Sequence, residues 1–191
     1  MSRPREFDVD RVLHQSMEVF WNQGFKATSY EDLTRTTGVK KQSLYCVFKD
    51  KRSLFLKAMA LYREQVVSKL KDIEALDSSP GDKLDALQHS LLDDETGCKG
   101  CLIVNASLEF GTDDEQVTRE AKLMVEEIQL VLEKIISSGQ KQQLISNRYT
   151  SIELASYLNN TILGVRVMQK SGLSREQIET VLRTSFGMIV S

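Results

Sequence analysis

The chain has 191 residues, 41% of them hydrophobic, and a formal net charge of −2. That supports a buried core in one or two small domains. A membrane span is excluded, since no apolar run approaches the ~20 residues it needs. Three cysteines exclude a disulfide framework. No signal or transit sequence is visible, so the expected location is the cytoplasm.

Only two prolines and ten glycines interrupt the chain, and capping signals recur at helical spacing, which predicts an all-α fold of about nine helices. Asp8 caps a first helix with Val9, Val12, Leu13, Met17, Phe20 and Trp21 on one face, ended at Gly24. Ser29, with Asp32 three residues on, caps a second helix that breaks at Thr37-Gly38-Val39. The third turns Val39, Leu44 and Phe48 inward and leaves Lys41, Gln42, Ser43, Tyr45 and Lys49 outside. Asp50 caps a long fourth helix reaching about Ile73, and Asp77-Ser78-Ser79-Pro80-Gly81-Asp82 reads as a linker.

Leu84, Leu87, Leu91 and Leu92 mark a fifth helix. The strand-like run Leu102-Ile103-Val104 falls inside a short apolar helix over 101–110. Thr112 with Glu115 reads as the capping box of a long helix over 113–138. Thr150 with Glu153 and Ser174 with Gln177 start the last two helices, joined only by Gly172-Leu173 and therefore an antiparallel hairpin.

The second and third helices make a helix–turn–helix of a size that fits the DNA major groove. Residues 1–52 hold ten Lys/Arg against seven Asp/Glu, whereas the remainder holds fifteen against twenty. A mildly basic head on an acidic body suits a modular reader, although the net charge alone speaks against a nucleic-acid binder.

Asp32-Leu33, Gly38-Val39, Ser43-Leu44-Tyr45, Phe48, Lys51 and Leu54-Phe55 resemble the amino-terminal signature of the tetracycline-repressor (TetR) family. Arg3-Pro4-Arg5-Glu6-Phe7-Asp8 and Gly24-Phe25 resemble that family's opening segment. The likeness departs at Thr34 and Thr37, where small alanines are usual, at Gln42, where Gly is common, and at Val47, where a His or Tyr would contact phosphate. It implies a three-helix DNA-binding head at 1–52, a linking helix over 50–75, and a larger helical ligand-binding and dimerisation domain at 53–191.

The expected function is a transcriptional regulator, a repressor released from a palindromic double-stranded DNA operator by a small-molecule inducer. The inducer would be largely hydrophobic and neutral or cationic, held among helices five to eight. The DNA-binding set is Arg3, Arg5, Ser29, Tyr30, Lys40, Lys41, Gln42, Ser43, Tyr45, Lys49 and Lys51. Polar anchors for the inducer are drawn from Tyr62, His89, Asn105, Glu109, Asn159 and Arg166. The resemblance implies a homodimer through a bundle of the last two helices, with Leu154, Leu158, Ile162, Val165, Ile178, Leu182 and Phe186 on its apolar stripe. The alternative is a helical binding protein that has lost specific DNA reading.

No Gly-rich phosphate loop, nucleophile motif or metal-ligand cluster is visible, so neither an enzyme, a cofactor nor a metal site is expected. Cys98-Lys99-Gly100-Cys101 has two readings. A lysine and a helix amino terminus favour thiolate, which suits a redox sensor, but cysteine is also a common small packing residue.

Overall fold

The computed structural model describes residues 7–92 and 99–190, and within them nine α-helices and no strand. They are α1 (Val9–Gln23), α2 (Tyr30–Thr37), α3 (Lys41–Phe48), α4 (Lys51–Glu74), α5 (Pro80–Leu92), α6 (Leu102–Phe110), α7 (Glu115–Lys141), α8 (Ser151–Lys170) and α9 (Arg175–Gly187). No helix among the described residues is long and apolar enough to cross a membrane.

Local chemistry sets most of the boundaries. Asp8 accepts from the amides of Asp10 and Arg11, and Asp50 from Ser53 N. Ser29, Thr150 and Ser174 each form the reciprocal capping box with the residue three positions on, which satisfies two otherwise orphaned N–H groups. One expected cap is corrected. Asp114, not Thr112, starts α7 by accepting from Gln116 N and Val117 N, and the helix runs on to Lys141. An ionised Asp one residue before the helix answers both N–H groups at once, which the Thr112 hydroxyl cannot do.

α1, α2 and α3 form the head. Phe20, Leu33, Val39, Leu44 and Phe48 fill its interior together with Leu54 and Phe55 from the start of α4. α4 therefore closes the head at one end and packs on α5, α6 and α7 along the rest of its length. Arg63 anchors it to α7 through Glu120 at 3.1 Å and Glu127 at 2.7 Å. α7 is the centre of the body, packed against α4, α5, α6 and α8, with α9 covering α5 and α8. At its end the loop folds back so closely that a Cβ at Gly139 would lie 2.5 Å from the Ile145 side chain.

The expected dimer stripe is corrected by this packing. Leu154, Leu158, Ile162, Val165, Ile178, Leu182 and Phe186 are all buried by the chain's own helices. The most apolar side of a terminal hairpin goes to the nearest apolar surface, here α5 and α7 of the same chain. The opposite side of the hairpin is the exposed one, with Ser156, Tyr157, Asn160, Gly164 and Val167 on α8, Gln177, Val181 and Thr184 on α9, and Met188 just after it.

Candidate DNA interface and ligand cavity

The turn between α2 and α3 rests on Gly38, whose φ of 70° is left-handed and costs a residue with a Cβ strain. Thr37 steadies it, its Oγ accepting from Val39 N at 3.2 Å while donating to Leu33 O. No side chain caps α3, so its first amides have no side-chain partner, and Lys40, Lys41 and Gln42 around them are exposed. Unpaired N–H groups and the positive helix end make such a start a natural seat for a phosphate. Lys41, Gln42, Tyr45 and Cys46 line one shallow hollow on the outer side of α3, and Ser43 is half-buried beside them. Lys49 ends the helix at a φ of 68° and is exposed.

An aromatic pair joins the helices of the head. Tyr30 and Tyr45 lie with ring centroids 5.0 Å apart, and the Lys41 ammonium sits 4.6 Å from the Tyr30 ring. The Tyr30 hydroxyl accepts from Lys51 N at 2.9 Å, tying α2 to the start of α4. Burial, with the Tyr45 hydroxyl next, pushes the Tyr30 pKa up to about 12. The phenol therefore stays protonated at physiological pH and keeps a proton to donate.

Two expected DNA contacts are used inside the head instead. The Lys51 ammonium donates to Phe25 O at 2.9 Å and Thr28 O at 2.8 Å, over the Phe25 ring. Ser29 accepts from Asp32 N and donates to the Asp32 carboxylate at 2.6 Å. Buried carbonyls and an open helix start demand partners, and the nearest long cation and hydroxyl supply them. Arg3 and Arg5 lie outside the described residues.

The body holds a partly open cavity of about 740 Å³. Its apolar wall includes Trp21, Tyr62, Leu91, Met124, Ile128 and Leu163, and its polar groups include Glu18, Lys69, Asp72 and Arg166. Three of the lining residues, Met17, Glu18 and Trp21, come from α1 of the head. That was not legible in the sequence, where the cavity was placed among the body helices alone. The signal was present in adjacent Phe20 and Trp21, which meet different partners from one helix, Phe20 packing on Phe25 and Phe55 and Trp21 on Tyr62.

Of the anchors expected there, Tyr62 and Arg166 line the cavity and four others do not. His89 is exposed, its Nδ1 2.8 Å from Asp85 O on its own helix. Asn105 donates to Lys99 O, and buried Asn159 donates to Val125 O, both closing backbone groups. Glu109 lies on the head, where its carboxylate accepts from Phe25 N at 2.9 Å and from Lys26 N. Cys101 is buried in the cavity wall, while Cys98 lies outside the described residues.

Two family models match this arrangement: bacterial regulatory proteins, tetR family, over residues 12–58, and the tetracyclin repressor-like C-terminal domain over residues 81–185. The chain belongs to the TetR family. Among its relatives, the HTH-type transcriptional repressor ComR of Escherichia coli (strain K12) is 26% identical over 188 residues, which cover 96% of this chain and 89% of ComR. The uncharacterized HTH-type transcriptional regulator YezE of Bacillus subtilis (strain 168) is 28% identical, covering 99% of this chain and all of its own. Among solved structures, a cysteine mutant of the TetR family regulator CifR, complexed with 26bp double-strand operator DNA, is 26% identical. It superposes with a TM-score of 0.83 over 98% of this chain and 100% of that one.

The TetR assignment makes this protein a DNA-binding transcriptional regulator, with α2 and α3 as its helix–turn–helix. Both departures noted in α3 are compatible with that role. Gln42 is exposed on the outer side of the helix, and Val47 is a partly buried packing residue of the head.

Proposed function

We propose that the protein is a homodimeric repressor that leaves an inverted-repeat operator when a small, largely apolar molecule fills the cavity. The observation that carries this reading is the cavity itself, walled by helices of the body and by α1 of the head. A ligand seated there touches both parts, and one that fits only one head orientation shifts the population toward it. On the DNA side, Lys41, Gln42 and Ser43 reach base edges while Tyr45, Lys49 and the first amides of α3 hold phosphates. Arg3 and Arg5 enter the adjacent minor groove.

The second copy covers the outward side of α8 and α9, where Val167, Val181 and Met188 are exposed and Gly164 has open space in front of it. An isologous contact there gives a closed pair, so two α3 helices meet two half-sites. The cavity lining carries two carboxylates, Glu18 and Asp72, and two cations, Lys69 and Arg166, which favours a ligand without strong net charge.

The test is a thermal-shift screen of small apolar compounds with release of bound DNA as the second readout. A compound that binds only the native state stabilises it by RT ln(1 + [L]/Kd), about 2.7 kcal/mol at a hundredfold excess over Kd. Hits must also lower DNA affinity; stabilising hits that leave DNA binding untouched contradict the proposal.

A further inference from the structure

We propose that Glu109 is the positioning residue that couples the cavity to DNA reading, an inference that rests on the cavity being a regulatory site. α6 touches the head at both of its ends. At its start, Gly100 O accepts from Trp21 Nε1 at 3.2 Å, and Lys99 pairs with Glu18 at 2.8 Å. Trp21, Glu18 and Cys101 all line the cavity, so this end of α6 is cavity wall. At the other end, the Glu109 carboxylate accepts the amides of Phe25 and Lys26, and Glu109 O accepts from the Lys26 ammonium at 3.0 Å. Phe110 follows with its ring 5.2 Å from Phe25.

Between the two ends lies a nine-residue helix, about 13 Å long, which moves as a rigid piece. The turn that Glu109 grips leads directly into α2. It is held from its other side by Lys51, whose ammonium takes Phe25 O and Thr28 O. The fit at Gly24 is tight: its φ is 81°, and a Cβ there would lie 2.9 Å from the Glu109 carboxylate. Two amide donors converging on one carboxylate make a charge-assisted, geometrically demanding contact. A displacement of the cavity end of α6 is thereby carried to the turn that sets the angle of the helix–turn–helix. Glu109 does not line the cavity and its carboxylate is bonded to the amides of the turn, so its part is transmission.

The test is a double-mutant cycle on the full-length protein, using a DNA duplex that the wild type itself selects. Ile128→Phe and Leu163→Phe add bulk to the cavity from α7 and α8 and stand in for an occupant. In the wild-type background each is expected to lower DNA affinity about tenfold, and in the Glu109→Ala background about twofold or less. Glu109→Gln, which keeps the side chain's shape and one acceptor oxygen, should fall between. Hydrogen exchange at the Phe25 and Lys26 amides supplies the second readout: protected in wild type, faster in the filled variants. Equal losses in both backgrounds, with unchanged protection of those amides, would overturn Glu109 as the coupler and leave cavity regulation standing. If filling the cavity leaves DNA affinity unchanged even in wild type, the regulatory reading and this inference fall together.

Discussion

Trp21 of α1 donates its indole N–H to the carbonyl oxygen of Gly100 at 3.2 Å, so the chain's one tryptophan is bonded across the seam between head and body. Its ring packs edge-on to Tyr62 of α4 with centroids 4.9 Å apart. Replacing it with phenylalanine keeps an aromatic ring in place but leaves a buried carbonyl without that donor. Trp21→Phe should therefore destabilise the fold by about 1–3 kcal/mol, read as a lower urea midpoint at unchanged slope. A variant as stable as wild type would show that the seam does not depend on this bond.

The lysines of the head separate by salt dependence. Lys49 is exposed and on the proposed reading holds a phosphate, so Lys49→Ala should reduce the log–log salt slope of DNA binding by about 0.9. Lys51→Ala should weaken binding with the slope unchanged, because its ammonium is bonded to Phe25 O and Thr28 O. A slope change at Lys51 equal to that at Lys49 would return it to the phosphate contacts.

Substitutions on the two sides of the α8–α9 hairpin should have different consequences. Val181→Arg, on the outward side, should give a folded monomer by light scattering that binds DNA weakly. Leu158→Ala, at a position fully buried by the chain's own helices, should cost about 2–5 kcal/mol of stability without selectively splitting a dimer. A dimeric Val181→Arg protein would place the interface elsewhere.

These contrasts also mark what a sequence shows and what it hides. Caps are local, so Asp8, Ser29, Asp50, Thr150 and Ser174 were readable: each needs only the two or three amides that follow it. The start of α7 misled because Thr112 and Asp114 both look like caps and only geometry chooses between them. Periodicity identified the apolar side of α8 and α9, but not whether that side meets α7 of the same chain or a second copy. Lys51 and Glu109 were misplaced for one reason. Long charged side chains go to unpaired backbone groups at the α1–α2 turn, which is remote in sequence and adjacent only once the chain has folded. The exposed set on α3 was readable because a short helix with a buried Leu44 and Phe48 leaves a single side for solvent.

Acid should loosen the caps. Ser29 and its amide hold Asp32 below the usual carboxylate range, the Ser53 amide does so for Asp50, and the Thr150 amide for Glu153. Arg52 lowers Asp114, paired with it at 2.8 Å. Since these folded-state values are depressed, their stabilisation is present above the unfolded values of about 4 and is lost as pH falls below them. Urea midpoints measured from neutral pH down through that range should fall, and Asp114→Asn should start lower and fall less. A midpoint that does not drop in acid would show that the pairs contribute nothing.

The most direct test of the account is to sequence the DNA fragments that the purified full-length protein captures from a random pool. If two α3 helices on a closed dimer read the operator, the captured fragments share an inverted repeat. Its half-sites lie about one helical turn or more apart, roughly 34–36 Å or a multiple. The same selection with Gln42→Ala should shift the preferred bases within each half-site. Fragments with no common repeat, unaltered by Gln42→Ala and bound only in proportion to their length, would contradict it.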